Sequence, residues 1–483
     1  MQENKGPKDV LRFFEEISRI PRGSGSEKGI SDYLVAFAKE RGLWVQQDKS
    51  LNVVIKKPGT GGHEKAKPVI IQAHMDMVCE KNSATVHDFL SDPIKLVVDG
   101  DFLKADGTTL GADNGAALAM ALALLDSKDI PHPPLEILVT TSEEIGLLGA
   151  GEIDGSLFEG RILLNMDSDA EGVFCVSCAG GGTATLSYKP EYTDLPAGFI
   201  TKTLKVKGLK GGHSGVDITK ERANSNRLMA RALRLLQEKF AVLFCDLNGG
   251  AKDNAIPRET QAVIAFDAAK SGDVAGEVKT ICENFKREYS MSDEGLEFCM
   301  EDCNGGVKKI FSGAFCGKVI SAIMMLPNGI QAMSLVFDNL PETSLNVGVV
   351  CTDGDSFFLT CSLRSSFFSK RQMLIDQVKI VAEATGGDAS FKGLYPAWEY
   401  NEKSALRKKA MGVFSQMFGK EAVISGTHGG LECGIFCEKI KGVDIVSFGP
   451  DIHDMHTPGE RINLSSYART WDFLKKLLPA LAE

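Results

Sequence analysis

The chain has 483 residues, which exceeds the length at which a single hydrophobic core keeps growing, so two domains are expected. A hydrophobic content of 43% with 24% charged residues is typical of a globular protein and excludes an intrinsically disordered one. The net charge of −10, with no basic stretch, argues against nucleic acids and anionic membranes as partners.

The N-terminal segment, residues 1–20, is polar and then amphipathic, and it lacks the apolar core of a secretory signal. The longest apolar block, residues 116–125, is far shorter than the roughly 20 residues that cross a bilayer. Twelve cysteines without an export signal suit a reducing cytoplasm, where we expect the protein. The isolated CxxC of Cys175 and Cys178 predicts buried thiols.

The first third of the chain alternates apolar runs with helical patterns. Strands are predicted in residues 67–76, 134–144 and 160–169, and a helix in residues 115–127. Apolar strands separated by helices predict an α/β domain, with a mostly parallel sheet flanked by helices. The carboxyl ends of such strands meet at one edge of the sheet, where functional sites form.

The pattern changes near residue 184, where alternating β-branched strands and amphipathic helices predict an α+β domain. After about residue 390 the α/β pattern returns, with a helix in residues 402–419 and a closing helix in residues 466–481. We therefore predict that residues 1–183 and 390–483 form one discontinuous domain. Residues 184–389 would be inserted into it.

Polar side chains cluster where the predicted strands end: His74, Asp76, Asp113, Glu143, Glu144, Asp167 and His456. Taken singly, each is more often a core residue or a turn cap than a ligand. Together, imidazoles and carboxylates are the ligands of zinc and similar metals. Five such ligands are too many for one tetrahedral ion with an open position. They suit two ions that share a carboxylate and lie roughly 3.5–4 Å apart.

Five motifs carry a resemblance to a known family: HMD, GADNG, TSEEIGLLGA, NMDSD and MHTPGER, in this order. The chain resembles the di-zinc peptidases related to aminoacylase and carnosinase, and within them the bacterial dipeptidases that cleave Xaa-His. The likeness continues through ISRIPRGSGSEKGISDYL, GLKGGHSGVDI and THGGLECGIF, and so covers nearly the whole chain. It implies a di-zinc exopeptidase domain carrying an inserted α+β lid, through which the chain forms a homodimer.

The resemblance implies two Zn²⁺ per subunit, with Co²⁺ or Mn²⁺ as substitutes. His74 and Asp167 would hold one ion, Glu144 and His456 would hold the other, and Asp113 would bridge them.

The resemblance also implies two catalytic roles. Asp76 would fix the ring of His74, and Glu143 would be the general base toward the attacking water. The alternative for the adjacent Glu143 and Glu144 is an acidic helix N-terminus. His453 is an alternative ligand to His456. In the family pattern the ligand lies immediately before TPGE, which is the position of His456.

Substrate contacts are expected from the insertion and from a later glycine pair. The resemblance implies that His213, in the lid of the partner subunit, stabilises the oxyanion. Asn254 and Arg364 are candidates for holding the dipeptide's carboxylate, and the backbone amides at Gly429 and Gly430 could approach the same group. Without the resemblance His213 is a turn residue, and Arg364 could equally be a salt-bridged surface residue.

The expected activity is metal-dependent hydrolysis of unblocked dipeptides, favouring Xaa-His substrates such as carnosine. A broader dipeptidase or an N-acyl amino acid deacylase on the same scaffold is the alternative, depending on whether the amine-side pocket accepts an ammonium group or an acyl chain. A catalytically silent binding protein is a third possibility, which the complete ligand set disfavours.

Overall fold

The computed structural model describes residues 6–303 and 305–482. Contacts divide the chain into two compact units. Unit 1 combines the described residues up to Cys178 with Tyr400–Thr427 and the described residues from Leu431 onward. Unit 2 comprises Ala179–Glu399 and His428–Gly430.

The N-terminal part of unit 1 alternates helices and strands. Its helices are α1 (Lys8–Ser18), α2 (Lys28–Glu40), α3 (Ala112–Asp126) and α4 (Leu148–Glu152). Its strands are β1 (Trp44–Gln47), β2 (Val53–Lys57), β3 (Val69–His74), β4 (Leu96–Asp99), β5 (Phe102–Ala105), β6 (Leu135–Thr140), β7 (Ile162–Asn165) and β8 (Val173–Cys178).

Unit 2 is richer in strands. Its strands are β9 (Gly180–Tyr188), β10 (Tyr192–Asp194), β11 (Phe199–Lys207), β12 (Gly212–His213), β13 (Leu243–Gly249), β14 (Ala255–Ile256), β15 (Thr260–Asp267), β16 (Glu297–Asp302), β17 (Lys309–Phe311), β18 (Gly329–Met333), β19 (Pro341–Asp353), β20 (Ser356–Ser365) and β21 (Asp388–Tyr395). Its helices are α5 (Ser225–Phe240), α6 (Ser271–Glu288), α7 (Gly313–Met325) and α8 (Phe368–Thr385).

The C-terminal segment returns to unit 1. It contributes the strands β22 (Val423–Thr427), β23 (Asp444–Ser447), β24 (Ile452–His453) and β25 (Arg461–Asn463). Its helices are α9 (Ala405–Phe418), α10 (Glu432–Lys439) and α11 (Leu464–Leu481).

An eight-stranded mixed sheet organises unit 1, in the order β1-β2-β6-β3-β7-β23-β8-β22. The four central strands β6, β3, β7 and β23 are parallel. Every residue of β3 and β6 is buried, which explains why their sequences are mostly apolar rather than alternating. Helix α3 packs against β3 and is buried along almost its entire length, as its uniformly apolar sequence requires.

A nine-stranded antiparallel sheet organises unit 2, with the path β16-β11-β15-β13-β19-β20-β9-β21 and β18 paired to β19. Buried and partly exposed residues alternate in the first half of β20, the pattern of a strand with one face on the core. Helices α5 and α8 bury their apolar sides in the same core. The expected α/β fold with an α+β part is thus confirmed. Within the described residues, no helix combines the length and apolarity needed to cross a membrane.

Candidate metal centre

The carboxyl ends of three neighbouring strands position the polar residues of unit 1. His74 is the last residue of β3 and pairs with Thr140, the last residue of β6. Strand β7 lies on the other side of β3 and ends two residues before Asp167. Glu143 and Glu144 follow β6 in the same way. Parallel strands bring these side chains to one edge because their carboxyl ends coincide there.

Asp113 lies at the centre of the group, in the first turn of α3. Its Oδ1 is 3.1 Å from His74 Nε2, and its Oδ2 is 3.1 Å from His456 Nε2. Asp167 Oδ1 is 3.6 Å from the same His74 nitrogen, and Glu144 Oε1 is 3.0 Å from the same His456 nitrogen. The two oxygens of one carboxylate therefore face two different sets of ligands.

These residues fit two divalent ions. His74, Asp113 and Asp167 offer ligand atoms that all lie within 4.8 Å of one another, and so do Asp113, Glu144 and His456. Imidazole nitrogens and carboxylate oxygens are the donors that zinc takes in catalytic sites. A shared carboxylate is also the expected arrangement for two ions held side by side.

Asp76 connects the first ligand set to the turn that follows β6. It is fully buried, and its Oδ1 lies 3.4 Å from His74 Nδ1. The backbone carbonyl of Asp76 also lies 3.2 Å from that nitrogen. With its Nδ1 proton donated to these oxygens, His74 presents the lone pair of Nε2 to the metal position. The backbone amides of Glu143 and Glu144 donate to the same carboxylate, at 3.1 and 3.3 Å.

The carboxylates and imidazoles of this cluster shift one another's pKa values. Burial by itself lowers the pKa of His74, but the carboxylates of Asp167 and Asp113 outweigh it and raise that pKa well above its usual value. The hydrogen bond to Asp113 raises the pKa of His456 to about 10. Burial raises the pKa of Glu143 well above its ordinary value. Divalent cations bound here would favour the deprotonated forms of these groups and so lower the pKa values of the imidazoles.

Unit 2 contains the residues expected to contact substrate. His213, on β12, pairs with Ala255 of β14, the residue after Asn254, and the amide of Ser214 donates to the Asn254 carbonyl at 2.8 Å. Arg364 lies on β20, is 8% exposed, and donates to the carbonyl of His428 at 3.3 Å. It is therefore not the exposed salt-bridged residue of the alternative interpretation.

The glycines of this region bring its backbone segments close together. A Cβ on Gly215 would lie 3.1 Å from His213 Nδ1 and 3.4 Å from Arg364 Cζ. A Cβ on Gly430 would meet the ring of Tyr395 at 2.6 Å. The amide of Ala179 donates to the carbonyl of the adjacent Gly429. The structure thus gathers His213, Asn254, Arg364, Gly429 and Gly430 within unit 2.

The tautomer of His213 follows from its contacts. Its Nδ1 accepts hydrogen bonds from the amides of Gly215 and Val216, both at 3.2 Å. Burial and the charge of Arg364 lower the pKa of His213, so the ring is neutral near pH 7. A neutral ring that accepts at Nδ1 carries its proton on Nε2, which makes it a hydrogen-bond donor without a net charge.

Other polar residues of the site were not assigned from the sequence. Glu432 is 1% exposed, and it accepts hydrogen bonds from Gln72 Nε2 at 2.6 Å and Thr140 Oγ1 at 2.8 Å. Asn165 donates to Gln72 in turn. Gln72 precedes His74 by two residues on β3, and Asn165, the last residue of β7, precedes Asp167 by two residues. These hydrogen-bonded polar side chains therefore lie at the strand ends that carry the candidate ligands. Gln72 and Asn165 could have been identified from the sequence, because each is a polar residue in a mostly apolar strand.

Three residues considered from the sequence, one histidine and two cysteines, lie outside the groups of candidate metal ligands. His453 is exposed on β24, where its ring packs edge-on against Phe102, with 5.8 Å between the ring centroids. Cys175 and Cys178 are buried thiols, and burial raises the pKa of Cys175 to about 12. Neither the imidazole nor the thiols occur in the groups of potential metal ligands found among the described residues.

Comparison with known proteins identifies close relatives. The family model for "Peptidase family M20/M25/M40" matches residues 70–480. The chain is 38% identical to the cytosol non-specific dipeptidase of Escherichia coli (strain K12), across 98% of this chain and 97% of that protein. The crystal structure of aminoacylhistidine dipeptidase from Vibrio alginolyticus has a TM-score of 0.90 and 38% identity, across 98% of this chain and 96% of that one. Aminopeptidase PepT from Bacillus cereus ATCC 10987, with a TM-score of 0.57 and 15% identity across 99% and 100%, shares the fold.

Proposed function

The chain belongs to the peptidase family M20/M25/M40, and we propose that it is a two-zinc dipeptidase that hydrolyses unblocked dipeptides and favours Xaa-His substrates such as carnosine. One observation carries this proposal. The carboxylate of Asp113 faces His74 with one oxygen and His456 with the other. A carboxylate placed in this way is suited to bridging two ions, and two-ion centres are used for peptide hydrolysis.

The substrate class is supported by the relatives. Both proteins that are 38% identical over nearly the full chain are named as dipeptidases. The relative from Vibrio alginolyticus carries a name that specifies aminoacylhistidine substrates, which supports the Xaa-His preference. The relative from Escherichia coli is named non-specific, and this favours a broader dipeptidase as the second candidate.

Two zinc ions would be held by His74 with Asp167 and by Glu144 with His456, each set completed by Asp113. When bound, the ions would polarise the scissile carbonyl and lower the pKa of the attacking water toward about 7. Co²⁺ and Mn²⁺ are alternatives for such nitrogen and oxygen donors.

Glu143 is the proposed general base. Its backbone amide is anchored by Asp76, and its pKa is raised by burial, which makes the carboxylate a stronger base than an exposed one. Glu143 would take the proton from the attacking water and then deliver it to the leaving amine. The neighbouring Glu144 is directed instead toward His456.

Unit 2 would recognise the rest of the substrate. The Nε2–H of the neutral His213 is a suitable donor to the oxyanion of the tetrahedral intermediate. Arg364 has a buried Nε without a hydrogen-bond partner among the described residues, and such a guanidinium is suited to binding a carboxylate. We assign the dipeptide's carboxylate to Arg364, Asn254 and the backbone around Gly429 and Gly430.

We further propose a homodimer in which His213 of the partner subunit serves each metal centre. Complementation tests this arrangement. Glu143→Gln and His213→Ala subunits would each form weakly active homodimers. Mixed dimers would regain activity, because one of their two sites would combine an intact Glu143 with an intact His213. Mixing without any recovery, in material shown to exchange subunits, would place His213 in the same chain as its metal centre.

A substrate panel tests the proposed activity. Zinc-loaded enzyme is assayed with β-alanyl-histidine, alanyl-histidine, alanyl-leucine and N-acetyl-histidine. We expect cleavage of the unblocked dipeptides, with the highest kcat/KM for those ending in histidine. Equal values for alanyl-histidine and alanyl-leucine would establish the broader dipeptidase. Cleavage of N-acetyl-histidine alone would indicate a deacylase, and no cleavage of any unblocked dipeptide would refute the proposal.

A further inference from the structure

Glu460 makes an unusual set of contacts near the metal ligands. It is 2% exposed, and its carboxylate accepts hydrogen bonds from the backbone amides of four consecutive residues. Oε2 accepts from Leu110 at 2.8 Å and Gly111 at 2.9 Å, and Oε1 accepts from Ala112 at 2.7 Å and Asp113 at 3.2 Å. The fourth amide is that of Asp113, whose side chain faces both sets of proposed ligands.

These amides lie at the N-terminal end of α3, which begins at Ala112. A helix leaves its first amides without partners inside the helix, and a carboxylate is the favoured group to satisfy them. Here that carboxylate comes from a residue about 350 positions away in the chain. Because Glu460 follows His456 by four residues, the same contact holds the segment of His456 against the first turn of α3, which contains Asp113.

Arg22 binds backbone carbonyls of the same region, whereas Glu460 binds its backbone amides. It is 2% exposed, and its Nη2 donates to the carbonyl of Gly111 at 2.6 Å. Its Nη1 donates to the carbonyls of Met75 and Asp76, at 3.1 and 3.2 Å, directly after His74. Gly111 is required between the two charged groups, since its φ is +71° and a Cβ there would lie 2.5 Å from Arg22 Nη2.

We propose that Glu460, together with Arg22, is a positioning residue for the metal centre: the pair fixes the His74, Asp113 and His456 segments so that zinc meets a preformed set of ligands. A cap that merely stabilised α3 would hold one segment, whereas these two side chains connect three segments that each carry a ligand. The inference rests on the proposed two-zinc centre.

The variant Glu460→Gln tests this proposal. The NH₂ group of glutamine is a hydrogen-bond donor, and it would face two backbone N–H groups that are donors as well. We expect zinc affinity to fall about 10–100-fold, as when groups that orient metal ligands are removed. Affinity is measured by competition between the apoenzyme and a chromophoric chelator. The visible absorption of Co²⁺-loaded enzyme should change as well, because the ligands are less well held.

Glu136→Gln is the matched control. Glu136 is also 2% exposed, accepts the amides of Glu159 and Gly160 at 3.1 and 3.0 Å, and has Lys56 as its cationic partner at 2.8 Å. It lies near the start of β6, away from the carboxyl end where the ligands lie. This variant should melt at a lower temperature and keep the zinc affinity of the unmodified enzyme.

The outcomes separate the inference from the proposed function. If the unmodified apoenzyme binds no zinc, the proposed function fails. If it binds two ions and Glu460→Gln binds them equally tightly with an unchanged Co²⁺ spectrum, only the inference fails. Should Glu460→Gln not fold, Arg22→Lys gives the same test, since lysine cannot reach three carbonyls with a planar fork. Unchanged zinc affinity in that variant would also overturn the inference.

Discussion

Replacing Asp76 with asparagine should perturb the proposed metal centre while every proposed metal ligand stays unchanged in sequence. The carboxylate is fully buried and has four neighbours. Oδ1 accepts from the amide of Glu143 and faces His74 Nδ1, and Oδ2 accepts from the amide of Glu144 and from Ser24 Oγ, the latter at 2.7 Å.

The expected magnitude follows from these contacts. Asparagine would keep its carbonyl oxygen at the Oδ1 position, where it still accepts from Glu143, and would place its NH₂ group at the Oδ2 position. The hydroxyl of Ser24 can rotate to accept from that group, but the amide of Glu144 cannot. The variant thus loses about one hydrogen bond to a charged group, worth about 1.5–3 kcal/mol, or roughly 10–100-fold in an equilibrium constant. The same range is expected for groups that orient metal ligands.

The assay compares zinc affinity and kcat/KM on a dipeptide for Asp76→Asn, Ser24→Ala and the unmodified enzyme. Asp76→Asn should lower zinc affinity about 10–100-fold. Ser24→Ala should have a smaller effect, because it removes one neutral donor and leaves the carboxylate in place. Asp76→Asn with the zinc affinity and kcat/KM of the unmodified enzyme would refute the reasoning.

Three further predictions concern individual side chains. Glu143→Gln should lower kcat about 10²–10⁴-fold while zinc content stays unchanged, and activity within tenfold of the original would remove Glu143 as the base. His213→Ala should lower kcat about 10²–10³-fold with little change in KM, whereas a rise in KM alone would make it a ground-state contact. His428 is buried, and burial with the charge of Arg364 lowers its pKa to about 3. In the unfolded chain the pKa of this imidazole is higher, about 6.5. The contribution of the neutral, buried ring to the free energy of unfolding is therefore fully present above pH 6.5 and is lost as the pH falls toward 3. Denaturant unfolding should show a loss of about 2 kcal/mol at pH 5 that is absent in His428→Asn, and parallel pH profiles would contradict this.

The helices and buried strands were predictable because their patterns are local. Amphipathic helices were predicted after residue 184, and α5 is one of them, with buried residues that recur at helical spacing. The strands predicted in residues 67–76, 134–144 and 160–169 contain β3, β6 and β7, since strands buried on both faces are mostly apolar. Because the carboxyl ends of parallel strands meet at one edge of a sheet, most of the polar candidates could be placed together there.

The remaining parts of the site depend on contacts that no local pattern records. Glu460 binds backbone amides about 350 residues away, and backbone amides carry no sequence signal. Arg22 likewise binds carbonyls, and Glu432 is a lone acid at the start of a short helix. The choice of His456 over His453 came from a motif, because both lie in the same polar stretch. The metal-ligand roles themselves stay predictions.

Elemental analysis of active, purified enzyme tests the central claim most directly. The two ligand sets that share Asp113 predict two divalent ions per chain, and His456→Ala should retain the ion held by His74 and Asp167 while losing most of the other. Two zinc equivalents in the unmodified enzyme, with activity that disappears on chelation and returns with zinc, are the expected result. Full activity in material containing no stoichiometric divalent metal would contradict the account.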